Sequence, residues 1–490
     1  MKLKVKYSGW SAGRPIAILN ELTAVRMAIT VNDRVLIKHN SKKIVSVVDI
    51  SSKMAKEDEI VLSTEIIKYL GLKGTEYVEV SFAKKPRSVQ IINKKLSCKT
   101  LSRKEIENII KSIVDNSLTE IEIAFFISAV YKCGMTTKEI VSFTRAMFQT
   151  GKKLNLEDKI IVDKHSIGGI AGNRTTPIVV SICAAAGLTF PKTSSRAITS
   201  AAGTADVMEA VCKVDFNIRE IEQIIKKTNA CLVWGGALGF APADDKIIRV
   251  EGMINIDPEP NLLASILAKK LSVGSKYILI DIPYGKFAKV DKSEALRLKK
   301  KFEVVGKKFN LKIRCLLTNG SEPIGHGIGP MLEIKDVVSV LKCQSDAPND
   351  LRKKSIFLAG QIFELCNKVK KGQGSKLAEK ILDSGKAFEK FKQIVEAQKG
   401  SLNNISLAKF SKDILAEKTG KISMIENKKI NLIARVAGSP TDKKAGLYLY
   451  KHIHESIKKG EKIMTIYSQS SEKLCDAVNF YKENKVVEVR

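Results

Sequence analysis

The sequence predicts a helical bundle combined with a mixed α/β domain, between a β-rich module at the N-terminus and an α+β domain at the C-terminus. Three patterns lead to this fold class. Short alternating apolar runs fill the first 86 residues, apolar residues at helical spacing follow, and a strand, a glycine-bearing loop and a helix succeed one another from residue 159. A length of 490 residues is typical of about three domains.

The N-terminal module is predicted to span residues 1–86. Its strand-like runs at residues 35–37, 44–48 and 77–80 are separated by turn residues. Residues 84–87 contain a proline and have the character of a linker.

The helical bundle is predicted over residues 87–158. Ser102 and Glu105 have the spacing of a capping box, and isoleucines follow at helical intervals. A second helix is predicted from Thr119, and a third from Thr136 with Glu139 three positions on. We expect these amphipathic helices to pack on one another.

The central α/β domain is predicted over residues 159–410. Residues 160–162 form a strand candidate, residues 163–169 a glycine-bearing turn, and residues 176–186 a helix. In such units ligands bind at the carboxyl end of the strand, where the loop lies. Further strands are predicted at residues 230–234, 277–281 and 311–317.

The C-terminal domain is predicted over residues 411–490. Its residue pattern is typical of β-structure, with one helix predicted near residues 447–458.

Composition narrows the class of protein. With 44% hydrophobic residues the chain can bury sizeable cores, and its longest apolar stretch is too short to cross a membrane. The N-terminus lacks a hydrophobic signal core, which favours a cytoplasmic protein. Nine cysteines without a C-x-x-C pair predict free thiols in a reducing compartment, with no zinc site or disulfide framework.

The formal net charge of +31 has two interpretations. The excess is mostly lysine spread along the chain, which is typical of a solvated surface. Binding to a polyanion such as nucleic acid is the alternative, although no RNP motif or zinc knuckle accompanies the charge. A positive surface would also attract substrates that carry phosphate.

Side chains suited to binding an anion are most concentrated between Lys164 and Thr204. Lys164, His165 and Ser166 stand beside two glycines, and hydroxyls recur at residues 175–176 and 193–200, where Arg196 adds a second cation. Cations, hydroxyls and backbone amides near a helix start are what a phosphate requires. Ordinary Ser/Thr-rich turns are the alternative. No Walker A motif occurs, and the glycines at residues 325–329 are interpreted as a structural turn.

These loops also carry a family resemblance. The motifs are DKHSIGG, GNRTTP, PKTSSRAITSAAGTAD, VWGGALGFAPADDKIIRVE, INIDPEPNLLASILAKK, IDIPYGKFAKV, NGSEPIGHGIGP and AGSPTDKKAGLYLY. They cover nearly the whole chain and resemble the thymidine/pyrimidine nucleoside phosphorylase family, most closely its archaeal AMP phosphorylase branch. SSRAITS and the leading β-rich module, which the bacterial pyrimidine enzymes lack, favour that branch.

The resemblance assigns expected roles to individual residues. Asp257 matches the proton donor, and His165 lies beside phosphate and sugar, where it either acts directly or orients the loop. Lys269 matches a base-contacting lysine, although a helix-surface role is equally compatible with its position. The phosphate-binding positions are Lys164, Ser166, Thr175, Ser194 and Thr204. The AMP-binding positions are Gly169, Ser195, Arg196, Ala197, Ile198, Thr199, Ser200, Thr204, Ser265 and Lys289.

The chemistry of the implied reaction is consistent with an acid at Asp257. Adenine leaves poorly as an anion, so its ring nitrogen must be protonated as the glycosidic bond breaks. A carboxyl group can donate that proton near neutral pH only if burial raises its pKa. Ile254 and Ile256 predict a partly apolar setting for Asp257, whereas Asp257-Pro258 taken alone would be an ordinary turn.

The resemblance further implies a pentosyltransferase that converts AMP, and in some members CMP or UMP, to free base and ribose 1,5-bisphosphate. Phosphate is a co-substrate, and no metal or organic cofactor takes part. Residues 240–272 are expected to return to the bundle, with the active site in the cleft between bundle and α/β domain. A homodimer or larger homo-oligomer is expected, with neither nucleic acid nor membrane as a partner.

Two alternatives remain at the level of sequence. One is a pyrimidine nucleoside phosphorylase. It is disfavoured because those enzymes have an arginine near the position that Val250 occupies here, and the arginine of this chain, Arg249, is one residue away. The other is a non-catalytic nucleotide- or nucleic-acid-binding protein that exploits the positive charge.

Overall fold

The computed structural model describes residues 1–156, 160–197, 200–236 and 238–490. The chain divides into two compact units. The first comprises residues 1–150 and 241–265, and the second comprises residues 151–240 and 266–490. Within the described residues, no helix combines the length and the apolar character that a membrane crossing requires.

The secondary structure follows one chain order. The strands are β1 Lys2–Tyr7, β2 Ile16–Leu19, β3 Arg34–His39, β4 Lys42–Ile50, β5 Glu59–Leu62, β6 Tyr77–Phe82, β7 Val162–Ser166, β8 Phe190–Ser194, β9 Ala230–Trp234, β10 Tyr277–Tyr284, β11 Lys312–Asn319, β12 Gly327–Ile328, β13 Phe410–Leu415, β14 Gly420–Ile425, β15 Gly446–Leu449, β16 Ser456–Ile457, β17 Lys462–Ser468 and β18 Val487–Val489. The helices are α1 Glu21–Arg26, α2 Thr64–Leu70, α3 Arg87–Leu96, α4 Arg103–Val114, α5 Glu120–Cys133, α6 Thr137–Gln149, α7 Thr175–Ala185, α8 Thr204–Glu209, α9 Ile218–Thr228, α10 Pro242–Ile254, α11 Glu259–Ser272, α12 Lys292–Lys307, α13 Pro330–Leu341, α14 Asn349–Leu365, α15 Gly374–Asp383, α16 Lys386–Ala397, α17 Asn427–Val436 and α18 Ser471–Glu483.

The first six strands close into a barrel in the order β1-β5-β2-β4-β3-β6. The runs predicted at residues 35–37, 44–48 and 77–80 lie within β3, β4 and β6, so those strand predictions are confirmed. Val35 and Ile37 are buried because alternate side chains of a strand face the barrel interior. Closure leaves no unpaired strand edge in this part of the described chain.

Three helices of the first unit begin at the residues that the sequence predicts. Capping boxes join Ser102 to Glu105, Thr119 to Glu122, and Thr136 to Glu139, so α4, α5 and α6 each start at a predicted residue. Each box satisfies two backbone amides that the first helical turn would leave without partners. The later helix α10 packs against α4 and α5.

One prediction about the cysteines is wrong. Cys98, after α3, forms a disulfide with Cys133 at the end of α5, 35 residues further along the chain. The sequence pattern gave no indication of this pair, because packing of α3 on α5 is what brings the two thiols together. The other seven cysteines, all within the described residues, are free.

The second unit is built on a parallel sheet. Strand β10 lies between β11 and β7, and β8 pairs with β9, all in parallel register. A bridge between Ile161 and Thr189 joins the two sets into the order β11-β10-β7-β8-β9. The strand predicted at residues 230–234 is confirmed, and those at residues 277–281 and 311–317 lie within or overlap β10 and β11.

The first strand of this sheet differs from the prediction. It runs from Val162 to Ser166 rather than over residues 160–162, and so includes residues for which the sequence predicts a turn. Polar residues such as Asp163 and Lys164 do not look like a central strand, but here they are buried among other charged side chains. The helix predicted at residues 176–186 is confirmed as α7, and it packs among α13, α14, α15 and α16.

The C-terminal part contains a four-stranded sheet, β12-β15-β17-β13, and a three-stranded sheet, β16-β14-β18. The helix predicted near residues 447–458 is wrong, because this stretch holds β15 and β16, and β15 pairs with β12 and β17. The helices lie instead at α17 and α18. The predicted fold class, a helical bundle with an α/β domain, a β-rich leading module and an α+β C-terminal part, is confirmed.

Candidate active site

Lys164 is the central cation of the second unit. It lies on β7 with 1% of its surface exposed, and its ammonium group donates to the hydroxyls of Thr175 at 2.7 Å and Thr176 at 3.3 Å. Burial, together with the positive charges of Lys354 and Arg174, lowers the pKa of Lys164 to about 8 against the opposing effect of Asp281. The strand and the start of α7 thereby hold one cation against two hydroxyls.

The carboxylate of Asp281 balances part of this charge. It accepts a hydrogen bond from Thr318 at 2.6 Å and lies 3.3 Å from the ammonium group of Lys354. Burial opposes its ionisation, but the attraction of Lys354 and Lys164 outweighs burial and lowers the pKa of Asp281. Asp281 is therefore an anion that keeps these lysines in place.

A second buried group of charges is centred on Asp163 of the same strand. Asp163 is fully buried, 2.7 Å from Lys270 and 3.7 Å from Lys192. Burial, followed by the positive charges of Lys270 and Lys192, lowers the pKa of His165 well below its ordinary value. The imidazole of His165 is therefore neutral near pH 7 and can accept or donate one hydrogen bond without carrying charge.

Three buried hydroxyls in this region have no hydrogen-bond partner among the described residues: those of Ser166, Thr193 and Ser194. They lie at the carboxyl ends of β7 and β8. Burying a hydroxyl without a partner is costly, so such groups in a folded protein indicate a ligand or solvent that satisfies them. An oxyanion, which accepts several hydrogen bonds at once, is suited to that position.

The loop after β8 is held mainly by Asp206. Its carboxylate accepts from the backbone amides of Ala197 at 2.7 Å and Gly203 at 2.9 Å. Gly203 is required here because a Cβ atom would lie 2.5 Å from the carbonyl oxygen of Ser195. Ser195 is exposed, and the predicted site residues Ile198 and Thr199 lie outside the described residues.

Arg196 is engaged by protein groups. Its guanidinium forms two hydrogen bonds with Glu209, at 2.5 and 2.6 Å, and lies over the ring of Trp234 at 4.8 Å from the ring centre. Two parallel hydrogen bonds and a cation–π contact fix the side chain. Arg196 thus orders the loop, and its charge is already largely paired.

Arg174 is not among the site residues that the sequence predicts. This buried residue precedes α7, and its guanidinium donates to Glu333 at 2.5 Å, Thr204 at 2.7 Å and the carbonyl of Ala202 at 3.0 Å. It therefore joins the loop after β7 to the loop after β8 and positions the Thr204 hydroxyl. An arginine in a polar run before a buried helix was the available signal, but nothing in the sequence identified its partners.

Gly169 and Lys289, both predicted to bind nucleotide, are brought together. Gly169 has a φ of +91°, and a Cβ atom there would lie 2.9 Å from the backbone nitrogen of Lys289. Only glycine allows this approach of the loop after β7 to the segment after β10. The Lys289 side chain is exposed to solvent.

Asp257 and Ser265 belong to the first unit. The hydroxyl of Ser265 on α11 donates to the buried carboxylate of Asp244 at 2.8 Å. Asp257 lies between α10 and α11 and is exposed, while Ile254 and Ile256 on either side of residue 255 are partly buried. Asn255 ends α10 in a left-handed conformation, two residues before Asp257.

Three further residues were compared with base-contacting positions of the family, and each contacts or packs against protein groups. Lys269 is partly buried on α11, Val250 is buried, and Arg249 pairs with Glu120 at 2.7 Å. Among the described residues, no group of three or more His, Cys, Asp or Glu side chains is placed to hold a metal ion.

Comparison with known proteins assigns three regions of the chain to known domains. Residues 89–151 match the helical bundle domain of a glycosyl transferase family, and residues 158–388 match the α/β domain of such a family. Residues 421–488 match the C-terminal domain of pyrimidine nucleoside phosphorylases. The combination defines a glycosyl transferase of the phosphorylase type.

The chain matches several curated proteins over almost its full length. It is 42% identical to an AMP phosphorylase of Methanococcus vannielii, over 97% of this chain and 95% of that protein. It is also 42% identical to an AMP phosphorylase of Methanococcus aeolicus, over 99% and 97%, and to a putative thymidine phosphorylase of Legionella pneumophila, over 93% and 88%. The chain therefore belongs to the thymidine/pyrimidine nucleoside phosphorylase family, in which these AMP phosphorylases are its relatives.

Similarity to solved structures concerns the fold. Anthranilate phosphoribosyltransferase from Thermus thermophilus superposes with a TM-score of 0.54 at 17% identity, over 63% of this chain and 99% of that one. At this identity the similarity concerns the arrangement of helices and strands alone.

Proposed function

We propose that the protein is an AMP phosphorylase, which cleaves the N-glycosidic bond of AMP with inorganic phosphate to give adenine and ribose 1,5-bisphosphate. The observation that carries this proposal is the buried Lys164, which donates to Thr175, together with the unpartnered hydroxyls of Ser166 and Ser194 at the ends of β7 and β8. A cation and several hydroxyls at the carboxyl ends of parallel strands suit a phosphate. The AMP phosphorylases of Methanococcus, which are 42% identical to this chain over almost its full length, support AMP as the substrate.

Phosphate would be bound by Lys164, Ser166, Thr175, Ser194 and Thr204. The ammonium group of Lys164 would neutralise part of the charge, and the serine hydroxyls would donate to oxygen atoms. Arg174 would act through Thr204, because its guanidinium donates to that hydroxyl. Neutral His165 follows Lys164 on the same strand and would hold a phosphate or sugar oxygen without adding charge.

The reaction balances without a cofactor. A phosphate oxygen forms a bond to C1′ of the ribose while the bond from C1′ to N9 of adenine breaks, and the electron pair of that bond goes to the base. The carboxyl group of Asp257 donates a proton to adenine as this bond breaks, and the proton that the attacking hydrogen phosphate gives up restores the carboxyl group. Since Asp257 is exposed in the structure, the bound nucleotide itself would have to shield its carboxyl group from water.

The nucleotide would be bound by Gly169, Ser195, Arg196, Ala197, Ile198, Thr199, Ser200, Thr204, Ser265 and Lys289. Lys289 is an exposed cation next to Gly169 and would pair with the 5′-phosphate, a group that nucleosides lack. The similar identity to a putative thymidine phosphorylase makes nucleoside cleavage the alternative outcome of the test. We further propose that the protein is a cytoplasmic homo-oligomer and requires no metal. Because Cys98 and Cys133 form a disulfide, the cysteines do not support the cytoplasmic location.

The experiment is release of free base from AMP, CMP, UMP, adenosine and uridine, each with and without inorganic phosphate. We expect phosphate-dependent release of adenine from AMP, with the nucleosides much slower. Faster release from uridine than from AMP would replace the proposal by a pyrimidine nucleoside phosphorylase. No release from any of these substrates would refute both and leave a binding protein.

A further inference from the structure

Helix α17 of the C-terminal part presents one row of polar side chains to the loops of the α/β sheet. Asn427, Asn431 and Arg435 are spaced four residues apart, which places them on one face of a helix. Asn427 is fully buried and Asn431 is 7% exposed. Buried amide side chains on a helix require partners, and here the partners are loop backbone groups.

Asn427 connects two loops at the carboxyl edge of the sheet. Its side-chain oxygen accepts from the backbone amide of Ala171 at 3.1 Å, and its side-chain nitrogen donates to the carbonyl of Gly320 at 3.2 Å. Ala171 belongs to the loop that follows β7, between Ser166 and Thr175. Gly320 directly follows β11. One side chain therefore fixes the phosphate-binding loop relative to the far strand.

Asn431 and Arg435 act on the other loop. The side-chain oxygen of Asn431 accepts from the backbone amide of Ala201 at 2.9 Å, and its nitrogen donates to the carbonyl of Asn427 at 2.9 Å. Arg435 donates to the carbonyl of Ser200 at 3.4 Å. Residues 200–201 lie between β8 and α8, in the loop that we propose to bind nucleotide.

We infer that Asn427 and Asn431 are positioning residues that hold the two substrate loops in their binding geometry from a helix of another domain. The inference rests on the proposed function for what the loops bind. Backbone amides of these loops can point at a ligand only if the loops have one conformation. The loop after β7 contains glycines at positive φ, at residues 168, 169 and 172, and glycine leaves the backbone more conformational freedom than other residues do. The amide of Asn427 supplies that restraint.

The test compares Asn427→Ala and Asn431→Ala with Lys428→Ala, a control on the same helix whose side chain is exposed. Binding of inorganic phosphate and of AMP is measured separately by calorimetry, with hydrogen exchange of the peptides that contain Ala171 and Ala201. Asn427→Ala removes the hydrogen bonds to both Ala171 and Gly320. We expect it to weaken phosphate binding by roughly 5- to 30-fold and to change AMP binding less. Asn431→Ala should weaken AMP binding more than phosphate binding.

Hydrogen exchange separates positioning from general destabilisation. Each variant should accelerate exchange at its own loop, Ala171 or Ala201, while the core strands stay protected and kcat at saturating substrate stays near that of the parent. Asn431→Asp, which keeps the accepting oxygen, should keep Ala201 protected. If Asn427→Ala does not fold, Asn431→Ala and Asn431→Asp decide the matter alone.

Unchanged affinities with unchanged exchange in the alanine variants would overturn the inference. So would acceleration spread over the whole second unit with unchanged affinities, because that pattern indicates only lost stability. Failure of the parent protein to release adenine from AMP would refute the proposed function instead. In that case phosphate binding and hydrogen exchange would still decide whether the two asparagines hold the loops.

Discussion

The ammonium group of Lys164 lies 2.7 Å from the hydroxyl of Thr175, whereas the hydroxyl of Thr176, the next residue of α7, is 3.3 Å away. Both threonines are buried at the start of the helix. This difference makes the two threonines a matched pair for testing which groups bind phosphate together with the lysine.

We expect Thr175→Val to raise the KM for phosphate more than Thr176→Val does. The substitution removes the shorter hydrogen bond to a charged group, and such bonds contribute about 1.5–3 kcal/mol. Phosphorolysis rates at varied phosphate concentration measure the effect, with the KM for AMP as the internal control. Equal effects of the two substitutions would indicate that Thr175 has no special role.

The value of kcat/KM for phosphate should fall as the pH rises above about 8. Burial lowers the pKa of Lys164 to about 8, so the enzyme that has yet to bind phosphate loses the positive charge of this side chain above that pH and keeps it below. The pH profile of kcat/KM for phosphate, measured at saturating AMP, checks this. A profile that stays flat well above this pKa would contradict a role for the Lys164 charge in phosphate capture.

Arg174→Met should destabilise the protein by about 3–5 kcal/mol, because it removes the charged partner of the buried Glu333. Burial raises the pKa of Glu333, and Arg174 counteracts that effect. Without Arg174 the carboxyl remains protonated to higher pH, so the loss of stability should be greater in mildly alkaline than in mildly acidic solution.

Urea denaturation of Arg174→Met, Glu333→Gln and the double variant measures this coupling. The cost of Arg174→Met should be much smaller in the Glu333→Gln background. Additive costs would mean that the guanidinium stabilises the fold through Thr204 and Ala202 instead.

Asp257→Asn should lower kcat for AMP by about 10²- to 10⁴-fold, the usual contribution of a general acid. A ribose 5-phosphate carrying 4-nitrophenolate, which leaves without a proton, provides the control substrate. Equal losses with both substrates would exclude proton donation by Asp257.

Reduction of the Cys98–Cys133 disulfide, or Cys133→Ser, should destabilise the bundle by about 2–4 kcal/mol, because the cross-link restricts the unfolded chain. Thermal unfolding with and without reductant measures this, and Cys475→Ser, at an exposed free cysteine, is the control. If the reductant leaves the parent protein's Tm unchanged, the two thiols are not joined in solution.

Much of the fold could be predicted because its signals are local. The capping boxes at Ser102, Thr119 and Thr136 start three helices where the sequence places them, and the apolar run at residues 230–234 is strand β9. The first sheet strand was misplaced because the cost of burying Asp163 and Lys164 is offset only by charged partners that the folded protein supplies. The C-terminal helix was misplaced because residues 447–458 contain strands whose partners are distant in sequence.

The sequence by itself determined the family and the residue types that phosphate chemistry requires, from Lys164 and Ser166 to Thr204. Those signals are short contiguous motifs, which can be recognised from the sequence alone. Only the tertiary structure decided the contacts of Arg174 and Asn427, the pairing of Arg196 with Glu209, the exposure of Asp257 and the Cys98–Cys133 disulfide. Each of these joins residues that are distant along the chain or depends on how neighbouring elements pack, and burial and pairing are properties of packing rather than of local sequence.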